Sequence, residues 1–178
     1  LRFPLAPEAL PVLTLALGLA VQDAIARATG VDCDLRWPND VLVNGRKCAG
    51  ILVQLIDGAA VAGIGINVNQ TVFPPELAGI ATSLCLASGQ PHSREDLLVQ
   101  LIETVDSFGR ILVEDGKDEI LRLYGRSSSF VQERRVVVEQ EGSVLEGTTE
   151  GLDPSGFLVL RKLDGTRTLI LAGGVRPL

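Results

Sequence analysis

The residues of this 178-residue chain best suited to chemistry lie between Arg36 and Asn67. Lys47 sits two positions past Asn44-Gly45 and is followed by the small residues Cys48-Ala49-Gly50. A long cation beside bare backbone suits an anion. Downstream, Gly63-x-Gly65-x-Asn67 puts two glycines on one face of a strand, leaving a floor on which a ligand can lie and an amide to hydrogen-bond it. Between 36 and 40, Arg36-Trp37-Pro38-Asn39-Asp40 combines a cation, a large aromatic, a rigid turn and two oxygen-bearing side chains. Each feature also has a plainer reading. The lysine could blunt a sheet margin, the glycines could admit a helix or a bulge, and Pro-Asn-Asp is good turn chemistry beside a core tryptophan. The single histidine, His92, lies in a polar loop, so no Ser-His or Cys-His pairing is on offer and the chemistry must rest on electrostatics and positioning.

The elements that must carry these residues follow from local pattern. The apolar run from about Leu10 to Thr29, closed by Gly30, predicts a helix covered on several sides. It is too interrupted by Gln22, Asp23 and Arg27 to span a membrane. Leu1 to Leu5 reads as a strand end, and Val31 to Trp37 as extended chain. Val41 to Val43, Cys48 to Leu55 and Ala60 to Val68, joined by Asn44-Gly45 and Asp57-Gly58, predict an antiparallel meander. After a Pro-rich loop at 73–76, a capping box at Ser93 starts a helix to about Val113. Its apolar positions are Leu97, Leu98, Leu101, Ile102, Val105 and Phe108. A short helix is expected over Lys117 to Tyr124. Beyond Ser127 come five short strands: Val136–Gln140, Ser143–Thr149, Phe157–Arg161, Thr166–Leu171 and Gly174–Arg176. They suggest a small SH3-like barrel. The expected architecture is therefore α+β: residues 1–126 form a mixed, mainly antiparallel sheet packed by helices, and residues 127–178 form the barrel.

Composition narrows the function classes. A formal charge of −6 argues against a phosphate-neutralising surface, so nucleic acid is not expected as a partner. The three cysteines, Cys33, Cys48 and Cys85, lack C-x-x-C spacing and read as buried thiols of a reducing, cytoplasmic compartment. No metal cluster is expected. Exposed strand edges in the meander would allow a homodimer.

The run from Arg36 through Gln54 resembles the signature of biotin protein ligases, [KR]-W-P-N-D followed by K-x-[AG]-G-I-L. Gly63-Ile64-Gly65-Ile66-Asn67 resembles the family's G-x-G-[IL]-N strand. With the C-terminal strands, the likeness covers essentially the whole chain. The resemblance implies a class II synthetase-like catalytic domain. It also implies an ATP-dependent ligase that activates biotin as biotinyl-5′-AMP and passes it to a lysine of a biotin carboxyl carrier protein, a subunit of acetyl-CoA carboxylase.

By the same resemblance, Lys47 is the catalytic residue, contacting biotin and the reacting phosphate. Asn39 and Asn67 lie near the nucleotide phosphates, with Arg36 and Trp37 in the same binding set. Asp40 helps hold Mg²⁺, and Gly50, Gly63 and Gly65 let biotin lie on the sheet. Family members carry a G-R-G-R-x-G-R loop upstream. A chain beginning at Leu1 without that loop reads as lacking its N-terminal portion. Arg36 replaces the commoner lysine, and Gly173-Gly174-Val175-Arg176 follows the family's last strand loosely. A lipoate ligase of the same fold and a non-catalytic module that binds biotin or a partner are the alternatives.

Overall fold

The computed structural model describes residues 9–140 and 143–178. The strand end expected over Leu1 to Leu5 lies outside them.

Helix α1 (Leu10–Thr29) has the expected limits, because Pro11 falls in its first turn and Gly30 ends it in the left-handed conformation. Its length and apolarity would suit a membrane, but most of it is buried between α3, α4 and the first sheet.

That sheet is an antiparallel meander of β1 (Asp34–Arg36), β2 (Asp40–Val43), β3 (Arg46–Ile56) and β4 (Ala59–Ile66), in sequence order. Both hairpins turn through two residues of positive φ, Asn44-Gly45 and Asp57-Gly58, the twist that antiparallel strands favour. One irregularity matters for function. Val41 pairs with Ala49, but Leu42 pairs with Lys47, leaving Cys48 as an extra residue on β3. A bulge of this kind shifts the facing of side chains on either side of it.

Helix α2 (Leu84–Ser88), not expected from sequence, is a short piece capped by Ser83, whose hydroxyl accepts from the Leu86 N–H. Helix α3 (Arg94–Glu114) begins at the predicted cap, with the Ser93 hydroxyl accepting from the Asp96 N–H. Its expected apolar face is only partly buried. Leu97 is enclosed, yet Leu98 and Ile102 are 55% and 52% exposed. The helix rests on α1 along a narrow stripe that includes buried Thr104, whose hydroxyl donates to the Ala20 carbonyl. Leu98 and Ile102 fall outside that stripe.

Helix α4 (Lys117–Ser127) leads to a five-stranded antiparallel sheet of β5 (Gln132–Gln140), β6 (Ser143–Leu152), β7 (Leu158–Lys162), β8 (Arg167–Ile170) and β9 (Gly174–Pro177). Its spatial order is β8-β7-β6-β5-β9. The core is continuous across the boundary expected near residue 127. Leu35, Val41 and Tyr124 belong to the same buried cluster as Phe130, Leu158 and Ile170.

Burial gives the core an alkaline limit. The Cys33 thiol is pushed up to about 12, by burial first and then by the charges of Cys48, Asp32 and Asp34, and burial pushes Cys48 up to about 11. Tyr124 is raised as well, again by burial. The unfolded chain gives up these thiol protons near pH 9 and the folded protein holds them to higher pH. Stability is therefore full below pH 9 and lost as pH rises through about 11 to 12. Thermal melts from pH 7.5 to 11 should show a midpoint falling from about pH 9, with a shallower slope in Cys48→Ala. A midpoint indifferent to pH over that range would show that the thiols are not held protonated.

Candidate active site

The meander and the segment after β4 build one cavity of about 420 Å³, lined by Arg36, Lys47, Gly50, Gly65, Asn67 and an apolar wall of Phe73, Leu77 and Ile80. A second hollow of about 460 Å³ continues over the sheet along Asn39, Lys47, Gly50, Leu52, Gly63 and Gly65. Lys47 and Gly50 border both.

The register explains the row of small residues. Asp40 faces Gly50 across β2 and β3, and Gly50 faces Gly65 across β3 and β4, while Leu52 faces Gly63. Directly opposed residues share a face, so Asp40, Gly50 and Gly65 form one line across three strands. The bulge at Cys48 adds Lys47 to that face. A Cβ placed on Gly50 would meet Lys47 Cε and Nζ at 3.0 Å, which means the lysine stem lies directly over the glycine. The same test at Gly65 meets nothing, and at Gly63 only the Leu52 carbonyl at 4.0 Å. These two glycines leave bare floor rather than making room for packing.

Charge is arranged around Asp40. Arg36 Nη2 is 2.6 Å from its Oδ2, and Lys47 Nζ is 2.5 Å from its Oδ1. Arg36 and Asp40 side chains are largely covered, at 21% and 15% exposed, while Lys47 is 44% exposed toward the cavity. The lysine approaches Oδ1 closely but is not aligned as a hydrogen-bond donor, so this buried oxygen has an ion pair and no directed bond. Two cations share one carboxylate, leaving a net positive charge at the mouth of an apolar pocket. That suits an anionic ligand with a flat apolar part.

Backbone contacts hold the lysine from the other side. The Lys47 N–H donates to the Ile80 carbonyl and the Thr82 N–H donates to the Lys47 carbonyl, at 2.8 and 2.9 Å. Ala81 thus makes a single parallel bridge to Lys47, and the turn that precedes it forms the wall of the cavity. Phe73, Leu77 and Ile80 were not expected from sequence, where 73–76 reads only as a Pro-rich loop and 77–80 carries no assigned element. Apolar residues in a loop were the available signal.

Some expected site residues do other work. Asn39 borders the second hollow, but its Nδ2 donates to the Ile51 carbonyl and its own carbonyl accepts from the Ile51 N–H, both at 2.9 Å. Asn67 lines the cavity while its Nδ2 donates to the Thr82 carbonyl at 3.1 Å, which anchors the wall. Trp37 is not in the ligand cavity: it is 3% exposed, and its indole N–H donates to the Gly156 carbonyl at 2.9 Å. The core reading of this tryptophan is the one the structure supports, since its ring is taken up by the junction with the second sheet. The peptide bond from Trp37 to Pro38 is cis.

Asp40, expected to help hold Mg²⁺, is engaged by two cations in the structure. Both its oxygens face cations, and among the described residues no carboxylate lines either hollow. Among the described residues, no cluster of three acidic, histidine or cysteine side chains could hold a metal. Asp40 is thus held in two ion pairs, and no step below is routed through a metal.

A cation-clamped cavity on an antiparallel sheet, backed by one buried helix, is suited to an anionic ligand. Comparison with known proteins narrows the class. Residues 4–71 match the biotin/lipoate A/B protein ligase family, and residues 133–175 match the biotin protein ligase C terminal domain. The chain is 34% identical over 166 residues to the biotin--[acetyl-CoA-carboxylase] ligase of Mycobacterium tuberculosis, covering 91% of this chain and 60% of that protein. It is 32% identical over 169 residues to the bifunctional ligase/repressor BirA of Bacillus subtilis, covering 91% of this chain and 52% of that one. Among solved structures, biotin protein ligase from Aquifex aeolicus superposes with a TM-score of 0.88 at 28% identity, covering 97% of this chain and 77% of that chain. The same ligase in complex with biotin and ATP gives 0.86 at 27% identity, covering 95% and 72%.

Two stretches of this chain thus match models of the biotin protein ligase family, and the solved structures above that it superposes on are biotin protein ligases. The chain spans about half the length of the Bacillus relatives it matches.

Proposed function

We propose that the protein containing this chain is an ATP-dependent biotin ligase. It activates biotin as biotinyl-5′-AMP and transfers the biotinyl group to a lysine of a biotin carboxyl carrier protein. The observation that carries this reading is Lys47, held over Gly50 at the meeting point of two hollows, with Asp40 and Arg36 behind it.

In the first step a biotin carboxylate oxygen attacks the α-phosphorus of ATP, an acyl phosphate bond forms, and pyrophosphate leaves. Two anions must approach, so a fixed cation between them lowers the barrier by stabilising charge that builds up in the transition state. Lys47 reaches both hollows and supplies that cation. Biotin lies on the Gly63 and Gly65 floor, while the adenine packs on Phe73, Leu77 and Ile80, placing the phosphates by Lys47 and Arg36. In the second step the carrier lysine amine attacks the mixed anhydride, an amide forms, and AMP leaves. No covalent enzyme intermediate is needed. The acidic balance of the chain supports a protein rather than nucleic acid as acceptor, and its free thiols accord with a cytoplasmic setting. Strands β1 and β4 are the sheet's edges and leave room for a homodimer.

The transfer step is tested by incubating the full gene product with ATP, biotin and a carrier domain, then measuring the carrier's intact mass. One added biotinyl group is expected, absent when the carrier lysine is replaced by arginine. Preferential addition of a lipoyl group from an equimolar mixture of biotin and lipoate would instead assign the lipoate branch. No modification with either acid would contradict the ligase reading.

A further inference from the structure

Trp37 lies in the middle of the charged segment that carries Arg36 and Asp40, yet its ring turns away from both hollows. Its N–H donates to a carbonyl 119 positions away in the chain, in the turn between β6 and β7. That turn is a rigid receiver. Asp153 Oδ1 accepts from the Ser155 and Phe157 N–H groups at 3.0 and 2.8 Å, and the Gly156 N–H donates to the Asp153 carbonyl at 2.9 Å. Gly156 has φ +87°, and a Cβ there would press on Val12 and Leu15 of α1 at 3.3 Å. Only glycine seats the turn this deeply, and doing so presents its carbonyl to Trp37.

A second set of bonds ties the same segment to the same half of the chain. The Ser128 hydroxyl donates to the Leu35 carbonyl at 2.6 Å in the buried interior. The Ser129 N–H and hydroxyl donate to the two oxygens of Asp34 at 2.9 and 2.5 Å. Residues 34–37 are therefore bonded at both ends to the linker and second sheet. Two residues on from Trp37, Asn39 is bonded twice to Ile51, and Asp40 holds Lys47. The mechanical path runs from Gly156 through Trp37 to Asp40, and from there to the lysine.

We propose that Trp37 is a positioning residue: the second sheet, through the Gly156 carbonyl, fixes the turn that aims Asp40 and hence Lys47 into the cavity. The catalytic consequence rests on the ligase reading above. The geometric one does not, because the orientation of Lys47 can be read without any substrate.

The test uses the full-length protein with Trp37→Phe, which keeps an aromatic ring and removes the donor. Benzothienylalanine at the same position serves as a second variant that keeps the bicyclic shape and loses only the N–H. Val138→Ala, a truncation inside the second sheet remote from the hairpin, controls for lost stability. Competitive acetylation by acetic anhydride without substrates, read by mass spectrometry, should find Lys47 labelled at least about threefold faster in both position-37 variants and unchanged in Val138→Ala, as expected when a cation loses its fixed partner. Under the ligase reading, kcat for adenylate formation should fall about tenfold with the KM for biotin within about twofold. Unchanged Lys47 labelling in both variants overturns the proposal, whatever their melting temperatures. Faster Lys47 labelling in the position-37 variants, together with a wild-type protein that makes no adenylate, would uphold the positioning and sink the ligase assignment instead.

Discussion

Lys47→Ala is expected to slow biotinyl-adenylate formation by about 10²- to 10³-fold, the loss typical of removing one preorganised group that stabilises transition-state charge. Three features of the site make this the largest single effect. The bulge at Cys48 turns Lys47 onto the glycine face, Gly50 lets its stem lie flat, and the parallel bridge to Ala81 fixes its backbone. The ammonium therefore waits in place rather than being recruited, and that preorganisation is where its catalytic value lies. Folding should be little affected, because the side chain is 44% exposed and Arg36 still faces Asp40 after the truncation. A loss of no more than about 1 kcal/mol is expected in a denaturant melt. Lys47→Arg should restore only a small part of the rate, since a planar guanidinium over Gly50 keeps the charge but not the point geometry. Single-turnover rates with saturating ATP and biotin check this, and a rate within about threefold of wild type would remove Lys47 from the centre of the mechanism.

The second large effect is on binding. Gly65→Val should weaken biotin affinity about 10- to 100-fold, the equivalent of the 1–3 kcal/mol that overfilling a fitted space costs. Stability should not fall with it. A Cβ at Gly65 meets nothing within 4 Å, and a β-branched residue suits a strand better than glycine does. This separates a glycine kept for a ligand from one kept for the fold: at Gly147 a Cβ would lie 2.5 Å from the Arg161 carbonyl, so that position answers to strand packing alone. Titration calorimetry with biotin, alongside a thermal melt, gives both numbers. Weakened binding with an unchanged melt is the expected pair, whereas unchanged affinity would place biotin elsewhere than on this floor.

What could be seen in the chain beforehand was local. α1 begins and ends where Pro11 and Gly30 put it, both hairpins turn at Asn44-Gly45 and Asp57-Gly58, and α3 starts at Ser93, because each is decided by a few adjacent residues. The glycine floor was visible for a similar reason, since alternation along one strand is enough to place Gly63 and Gly65 together.

Features that depend on distant partners were not visible. Nothing around Cys48 announces a bulge, because the extra residue exists only relative to the pairing with Val41 and Leu42. Trp37 belongs to a motif with charged neighbours, yet its partner is a carbonyl contributed by another sheet. Leu98 and Ile102 repeat with helical spacing as core residues would, but α3 packs on α1 and α4 and leaves both more than half exposed. The wall of Phe73, Leu77 and Ile80 comes from a stretch with no periodicity, placed by bonds from Ile80 and Thr82 to the backbone of Lys47.

The most direct measurement of the central claim is mass spectrometry of the nucleotide pool after the full gene product is given ATP and biotin with no carrier present. Biotinyl-5′-AMP should appear together with an equal amount of pyrophosphate, and both should nearly vanish with Lys47→Ala. Pyrophosphate without a biotinyl adenylate, or no product of either kind from the wild-type protein, would contradict the account.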